Sequence, residues 1–197
     1  MASLHPTKQL LRDTAVALID EHGPQGFTVE QLLEVSKISK GSLYHHFEDF
    51  SDVIEQAQVA RFARFIDNDI QAIALLLSSA HSREEMFDRF IGIVAVASEP
   101  VRKEGRSDRA TIIGLARHSE KFAALLGVEQ QRLTNALTDV VRELQEREWL
   151  SRDLDPQVVG TFLQAYSFGK IVDDIAETPV DSAQWTKFID MMLRKTL

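Results

Sequence analysis

Residues Phe27–Phe47, FTVEQLLEVSKISKGSLYHHF, carry the signals of two short helices joined by a tight turn, and their reading decides the fold. Thr28 predicts the start of the first helix through a capping box: its hydroxyl can accept from the backbone N–H three residues on, and Gln31 can reach back to the Thr28 N–H. Leu32, Leu33 and Val35 are expected to form the buried side of that helix. Ser39 is the natural N-cap of the second helix, which runs from Lys40 to Phe47. With Leu43 and Phe47 turned inward, an advance of about 100° per residue points His45 almost directly away from the core. Gly41 and Ser42 then lie beside it, with Tyr44 and His46 on the flanks. Such a face suits a DNA major groove: Ser, His and Lys reach base edges or phosphates, a Tyr ring sits against a thymine methyl, and a bare glycine permits close approach. Ser39 and Lys40, at the positive end of the helix dipole, are placed to meet phosphate.

Upstream, Pro6–His22 reads as an amphipathic helix, with Leu11, Ala15, Leu18 and Ile19 at helical spacing and a Gly23-Pro24 stop. Downstream, Asp49 or Ser51 is expected to cap a fourth helix. The whole pattern over residues 10–54, LLRDTAVALIDEHGPQGFTVEQLLEVSKISKGSLYHHFEDFSDVI, resembles the N-terminal DNA-binding domain of the TetR family of bacterial transcriptional regulators. The resemblance implies DNA contacts from Thr28, Lys40, Gly41, Ser42, Tyr44, His45 and His46, and to these the charge of Lys37 and the place of Ser39 at the helix start add two candidate phosphate contacts. Two positions depart from the family pattern. Ser36-Lys37 stands where a small residue followed by Gly is usual before the recognition helix, and Phe50 stands where a phosphate-gripping Lys usually opens the fourth helix. Phe50 is expected to pack between the domains instead.

The chain carries a formal charge of −8, and Met1–Phe50 is itself acidic, with Lys8, Arg12, Lys37 and Lys40 against seven Asp and Glu. Long-range electrostatic steering toward DNA is therefore absent, and affinity must come from a local positive patch and neutral donors. The absence of cysteine excludes a disulfide framework, a thiolate nucleophile and a thiolate metal site. Six scattered histidines with no HExxH offer no metal site, and GxSxG, Walker and Rossmann fingerprints are missing, so the chain is expected not to be an enzyme and to need no cofactor. The apolar runs near residues 73–77 and 91–97 fall far short of the roughly 20 residues of a membrane span, and no basic-then-apolar leader precedes the first helix. A cytoplasmic protein without a membrane partner is expected.

Past Asp49 the sequence predicts helices near 50–79, 82–98, 107–118, 120–126, 128–148, 155–176 and 181–195, with Pro100 and Gly105 in a long connection. The fold class is all-α: a three-helix helix-turn-helix domain at 1–49 and a helical effector-binding and dimerisation domain at 50–197, sharing the helix that begins near Asp49. The last two helices carry broad apolar stripes, and small residues Gly160, Ala165 and Gly169 allow close helix approach. In the resembled family such helices pair with their mates in a homodimer, which assigns Val159, Phe162, Leu163, Tyr166, Trp185, Phe188, Ile189 and Met192 to an interface. The resemblance also implies a pocket for a small, largely apolar effector, lined by Phe62, Phe65, Ile66, Met86, Phe87, Phe90, Ile112, Leu115, His118 and Tyr166, with Arg89 and Arg109 as further polar candidates. Two functions follow: a homodimeric repressor released from a palindromic double-stranded operator by that effector, or a helical ligand- or partner-binding protein that keeps the fold with weak DNA affinity.

Overall fold

The first helix, α1 (Pro6–His22), starts with a proline that needs no N–H partner and stops at Gly23, whose φ of 79° lies where side chains are strained. This is a computed structural model that describes residues 5–196, and every regular element among them is helical. In α2 (Val29–Ser36) the predicted capping box forms, with the Thr28 N–H donating to Gln31 Oε1 at 2.8 Å and the Gln31 N–H donating to the Thr28 hydroxyl at 3.3 Å. Its buried side differs from the expected one. Val29, Leu32, Leu33 and Ser36, at helical spacing, face inward, while Val35 is one step around the helix and 58% exposed. A three-residue turn leads into α3 (Lys40–His46), where Ser39 accepts the Ser42 N–H at 3.2 Å.

Asp49 is the residue that caps α4 (Phe50–Ser79), accepting the Asp52 N–H at 2.8 Å. The helix then runs through three successive cores. Val53 and Ala57 complete the N-terminal core with Leu11, Ala15, Leu18, Ile19, Phe27, Leu32, Leu43 and Phe47. Phe62 and Ile66 enter a second with Ile112, Phe122, Leu126, Leu133 and Leu137. Leu76 enters a third with Met86, Phe87, Val94, Val141, Leu144, Val159, Ile189 and Leu193. Phe50 sits edge-on to Phe27, ring centroids 5.6 Å apart, inside the first of these cores and not between domains.

The remaining helices are α5 (Arg83–Ser98), α6 (Lys103–Leu115), α7 (Glu120–Glu146), α8 (Pro156–Gly169), the single turn α9 (Ile171–Asp174) and α10 (Ser182–Thr196). Three boundaries correct the sequence-based expectation. The connection after α5 is only a 3-10 turn at Pro100–Arg102, so Gly105 lies inside α6. The two segments predicted around Gly127 are one helix, because a lone glycine costs about 1 kcal/mol and does not stop a helix packed along its length. The helix predicted to run to residue 176 breaks at Gly169-Lys170, where buried Lys170 bonds Asp173 and buried Asp174 accepts from Arg106 Nε and Nη2, each at 2.6 Å.

Because Leu43 is fully buried, Leu43→Ala should lower the stability of the N-terminal domain by about 2–5 kcal/mol in urea unfolding. Val35→Ala, on the exposed side, should change it by less than about 0.5 kcal/mol.

Candidate nucleic-acid interface and effector region

The surface of α3 is built by two anchors and a cap. Leu43 and Phe47 are locked into the core, and the Ser39 hydroxyl fixes the first turn. Around that frame Lys40, Gly41, Tyr44 and His45 are exposed, Tyr44 to 45%, while Ser42 and His46 are half-buried. Gly41 has no protein atom within 4 Å of where a Cβ would stand. Packing therefore gives no reason for a glycine in this helix, although one costs about 1 kcal/mol relative to alanine. Thr28 and Lys37 lie exposed beside the same helix. Lys37 occupies the left-handed region at φ 59°, and the turn is braced by the Ser36 hydroxyl, which accepts the Ile38 N–H at 3.4 Å. A lysine in place of the turn glycine thus adds a cation at the cost of backbone strain, about 1–2 kcal/mol for an L-residue there.

No lysine opens α4, but Lys121 at the start of α7 reaches its N-terminus, donating to Glu48 at 2.9 Å and lying 3.1 Å from Asp52. Burial alone would raise the Asp52 carboxyl; hydrogen bonds from Gln56, the Glu48 N–H and Lys121 outweigh it and hold Asp52 below the ordinary carboxylate range. A second tie lies further along α4. Arg61 donates to Asp20 of α1 and to Asp108 of α6, both at 2.7 Å, and to Gln58 at 2.9 Å. Asp20 also takes Arg64 at 2.9 Å, and these two arginines overcome the effect of burial and lower its pKa. Sequence reasoning gave none of these residues a tying role, because the pairs that join different helices lie 41 to 73 positions apart.

The predicted effector residues divide between two cores. Phe62, Ile66 and Ile112, with Phe65 against them, belong to the second core, whereas Met86 and Phe87, with Phe90 and Tyr166 against them, belong to the third. The two groups meet at Leu163, which packs against both. Leu115 and His118 are exposed, and His118 accepts a hydrogen bond from Arg117 at 2.8 Å. Two surface concavities, about 370 Å³ beside Arg83 and Trp149 and about 420 Å³ between α1 and α4, contain none of the predicted set. Of the polar candidates, Arg89 pairs with Glu85 on the surface. Arg109 lies over the Phe62 ring, 5.6 Å from its centroid, bonds Asp69 at 2.7 Å, and has a buried Nε with no partner among the described residues. Tyr166 stacks on Trp185 with centroids 5.9 Å apart, and burial pushes its hydroxyl up to about 12.

The C-terminal apolar stripes are only partly inward. Val158, Phe162, Ala165, Phe168 and Val172 on the α8–α9 side, and Phe188 and Met191 on α10, are exposed. Val159 and Ile189, expected at an interface, are taken by the subunit's own core, and Leu163, Tyr166, Trp185 and Met192 are half-buried against it. Gly160 serves the contact with α7, since a Cβ there would come within 3.1 Å of Leu137 Cβ, while Ala165 and Gly169 face outward.

A capped, two-anchor helix displayed after a short turn, on an otherwise helical body, defines a helix-turn-helix protein. Residues 11–57 match the model of the family described as "Bacterial regulatory proteins, tetR family", and the chain is similar to TetR-family transcriptional regulators. The HTH-type transcriptional regulator UidR of Escherichia coli K12 is 20% identical over 201 residues, which cover 95% of this chain and 91% of UidR. The fold matches that of Salmonella enterica GusR, with a TM-score of 0.66 at 15% identity over 98% of this chain and 95% of GusR. It also matches a TetR/AcrR-family regulator from Thermobifida fusca YX-ER1, with a TM-score of 0.63 at 14% identity over 96% and 97%.

Replacing the strained turn residue tests the site's construction. Lys37→Gly should keep or raise thermal stability by up to about 1 kcal/mol, and it should lessen the salt dependence of DNA binding by about one phosphate equivalent per subunit.

Proposed function

We propose that this chain is a homodimeric transcriptional repressor that holds a palindromic double-stranded operator through α3 and releases it when a small, largely apolar effector enters the helical body. It acts in the cytoplasm and is not an enzyme. The observation that carries this reading is the surface of α3, where Lys40, Gly41, Tyr44 and His45 are exposed together on a short capped helix held down by Leu43 and Phe47. Thr28, Lys37, Ser39 and Lys40 then serve phosphate, with His45 and His46 at the edge of the groove within reach of it. The reading domain is assigned to 1–49 and the effector and dimerisation domain to 50–197, with α4 common to both.

The exposed stripe of Val158, Phe162, Ala165 and Phe188 supports association of two copies through α8 and α10, because an apolar face of this continuity is stable in water only when covered. For the effector, the seam at Leu163 between the Phe62 and Phe87 clusters is the favoured entry, with the unpartnered Arg109 Nε–H as donor to an acceptor atom on the ligand. A ligand there would wedge the packed clusters apart and tilt α4. A switch from almost full to almost no DNA competence requires about 10⁴-fold tighter binding to the tilted form.

A second reading, a ligand- or partner-binding protein with weak DNA affinity, is favoured by the acidic balance and by Lys121, whose charge is spent on Glu48 and Asp52. Selection of bound duplexes from a random-sequence pool separates the two. The repressor should enrich an inverted repeat with half-sites about one helical turn or slightly more apart; enrichment of nothing would establish the second reading.

Against the selected duplex, Tyr44→Ala and His45→Ala should each cost about 1–3 kcal/mol per half-site with circular dichroism unchanged. Wild-type affinity in both variants would remove α3 from the groove. By sedimentation, Phe162→Glu and Phe188→Glu should turn a dimer into monomers, since each buries a charge in an apolar interface.

A further inference from the structure

Three imidazoles meet at the edge of the reading surface. His5 caps α1, its Nδ1 accepting the Thr7 N–H at 3.3 Å. Its ring centroid lies 4.7 Å from that of His46, which lies 5.0 Å from that of His45. Lys8, on α1, sits 5.2 Å from the centroid of the Phe47 ring that anchors the end of α3. The groups bearing on His46 are thus His5 and Lys8 from the α1 side and His45 from α3 itself. The acids that follow α3 in the chain are committed elsewhere, Glu48 to Lys121 and Asp49 to the cap of α4. Among the described residues no three His, Cys, Asp or Glu side chains are placed to hold a metal ion.

Partial desolvation first, and then the charges of His5, His45 and Lys8, hold His46 below the usual imidazole range. The sign for folding follows: a base with a lowered pKa contributes stability at higher pH, and that contribution is lost as pH falls through the lowered value. A phosphate against the cluster has the opposite sign, because an adjacent anion favours the imidazolium form. The His5 Nδ1 lone pair is already engaged by the Thr7 N–H. The protons have His45 and His46 to go to.

We propose that His5, His45 and His46 form one phosphate-binding patch that loads protons onto His45 and His46 as DNA docks, so that the protein grips DNA more tightly in mildly acidic than in mildly alkaline solution. This rests on the DNA-binding reading above and adds to it a proton-linked affinity. It also offers a source of local positive charge for a reading domain whose fixed charges are net acidic.

The test is fluorescence anisotropy with a labelled duplex recovered from the random-sequence pool, at constant ionic strength, from pH about 8 to pH about 5.5. Wild-type affinity should rise about tenfold or more between pH about 7.5 and pH about 6. His46→Gln should lose some of that slope and the His45→Gln, His46→Gln double variant most of it, whereas His81→Gln, far along the chain just before α5, should keep it. A flat wild-type profile, or an unchanged slope in the double variant, overturns the proposal. If the double variant binds too weakly to titrate, imidazole NMR signals of the wild type decide: titration midpoints of His45 and His46 moved upward in the complex support the patch, and unmoved midpoints overturn it. Failure of every duplex to bind at any pH would instead sink the regulator reading itself.

Discussion

Everything in this chain hangs on the burial of α4. Its Val53 and Ala57 close the N-terminal core, its Phe62 and Ile66 stand in the middle of the second, and its Leu76 joins the third. Such a helix cannot rotate about its axis by much without opening a core, because packed interiors do not deform continuously. The ion pairs at its flanks follow the same geometry, with Lys121 fixing its start against α7 and Arg61 fixing its middle against both α1 and α6.

The acidic balance of the protein gives the reading surface its character. Non-specific DNA affinity scales with the number of phosphates neutralised, so a net-negative domain with few lysines has little of it. On the proposed reading, neutral donors such as Ser42 and Tyr44, together with the histidines beside them, would shift the balance toward contacts made only on a matching site. Low background on bulk DNA would be the gain of such a surface, and slower search without steering its cost.

Legibility followed how local each signal was. The capping box at Thr28, the Ser39 and Asp49 caps and the Pro6–His22 limits could be read because each depends on residues within one turn. Val35 misleads because a hydrophobic residue outranks serine by composition, whereas the register of Val29, Leu32 and Leu33 turns Ser36 inward and lets its hydroxyl bond the Ile38 N–H. The division of the aromatic residues into two clusters could not be read, since it depends on where α5 lands relative to α6 and α7. The same holds for Val158 against Val159: both are valines, and only the packing of α8 on Leu137 decides which one faces out.

Arg61 carries one further implication, for inheritance. A single guanidinium serves an acid from α1 and an acid from α6, so the chemistry of two distant codons, Asp20 and Asp108, is read through a third. Changes at these three positions should be epistatic, because losing either acid alters what Arg61 offers the other. Drift in the body of the protein is thereby answerable to the reading head, and a family lineage that changes one member of the trio gains latitude at the other two.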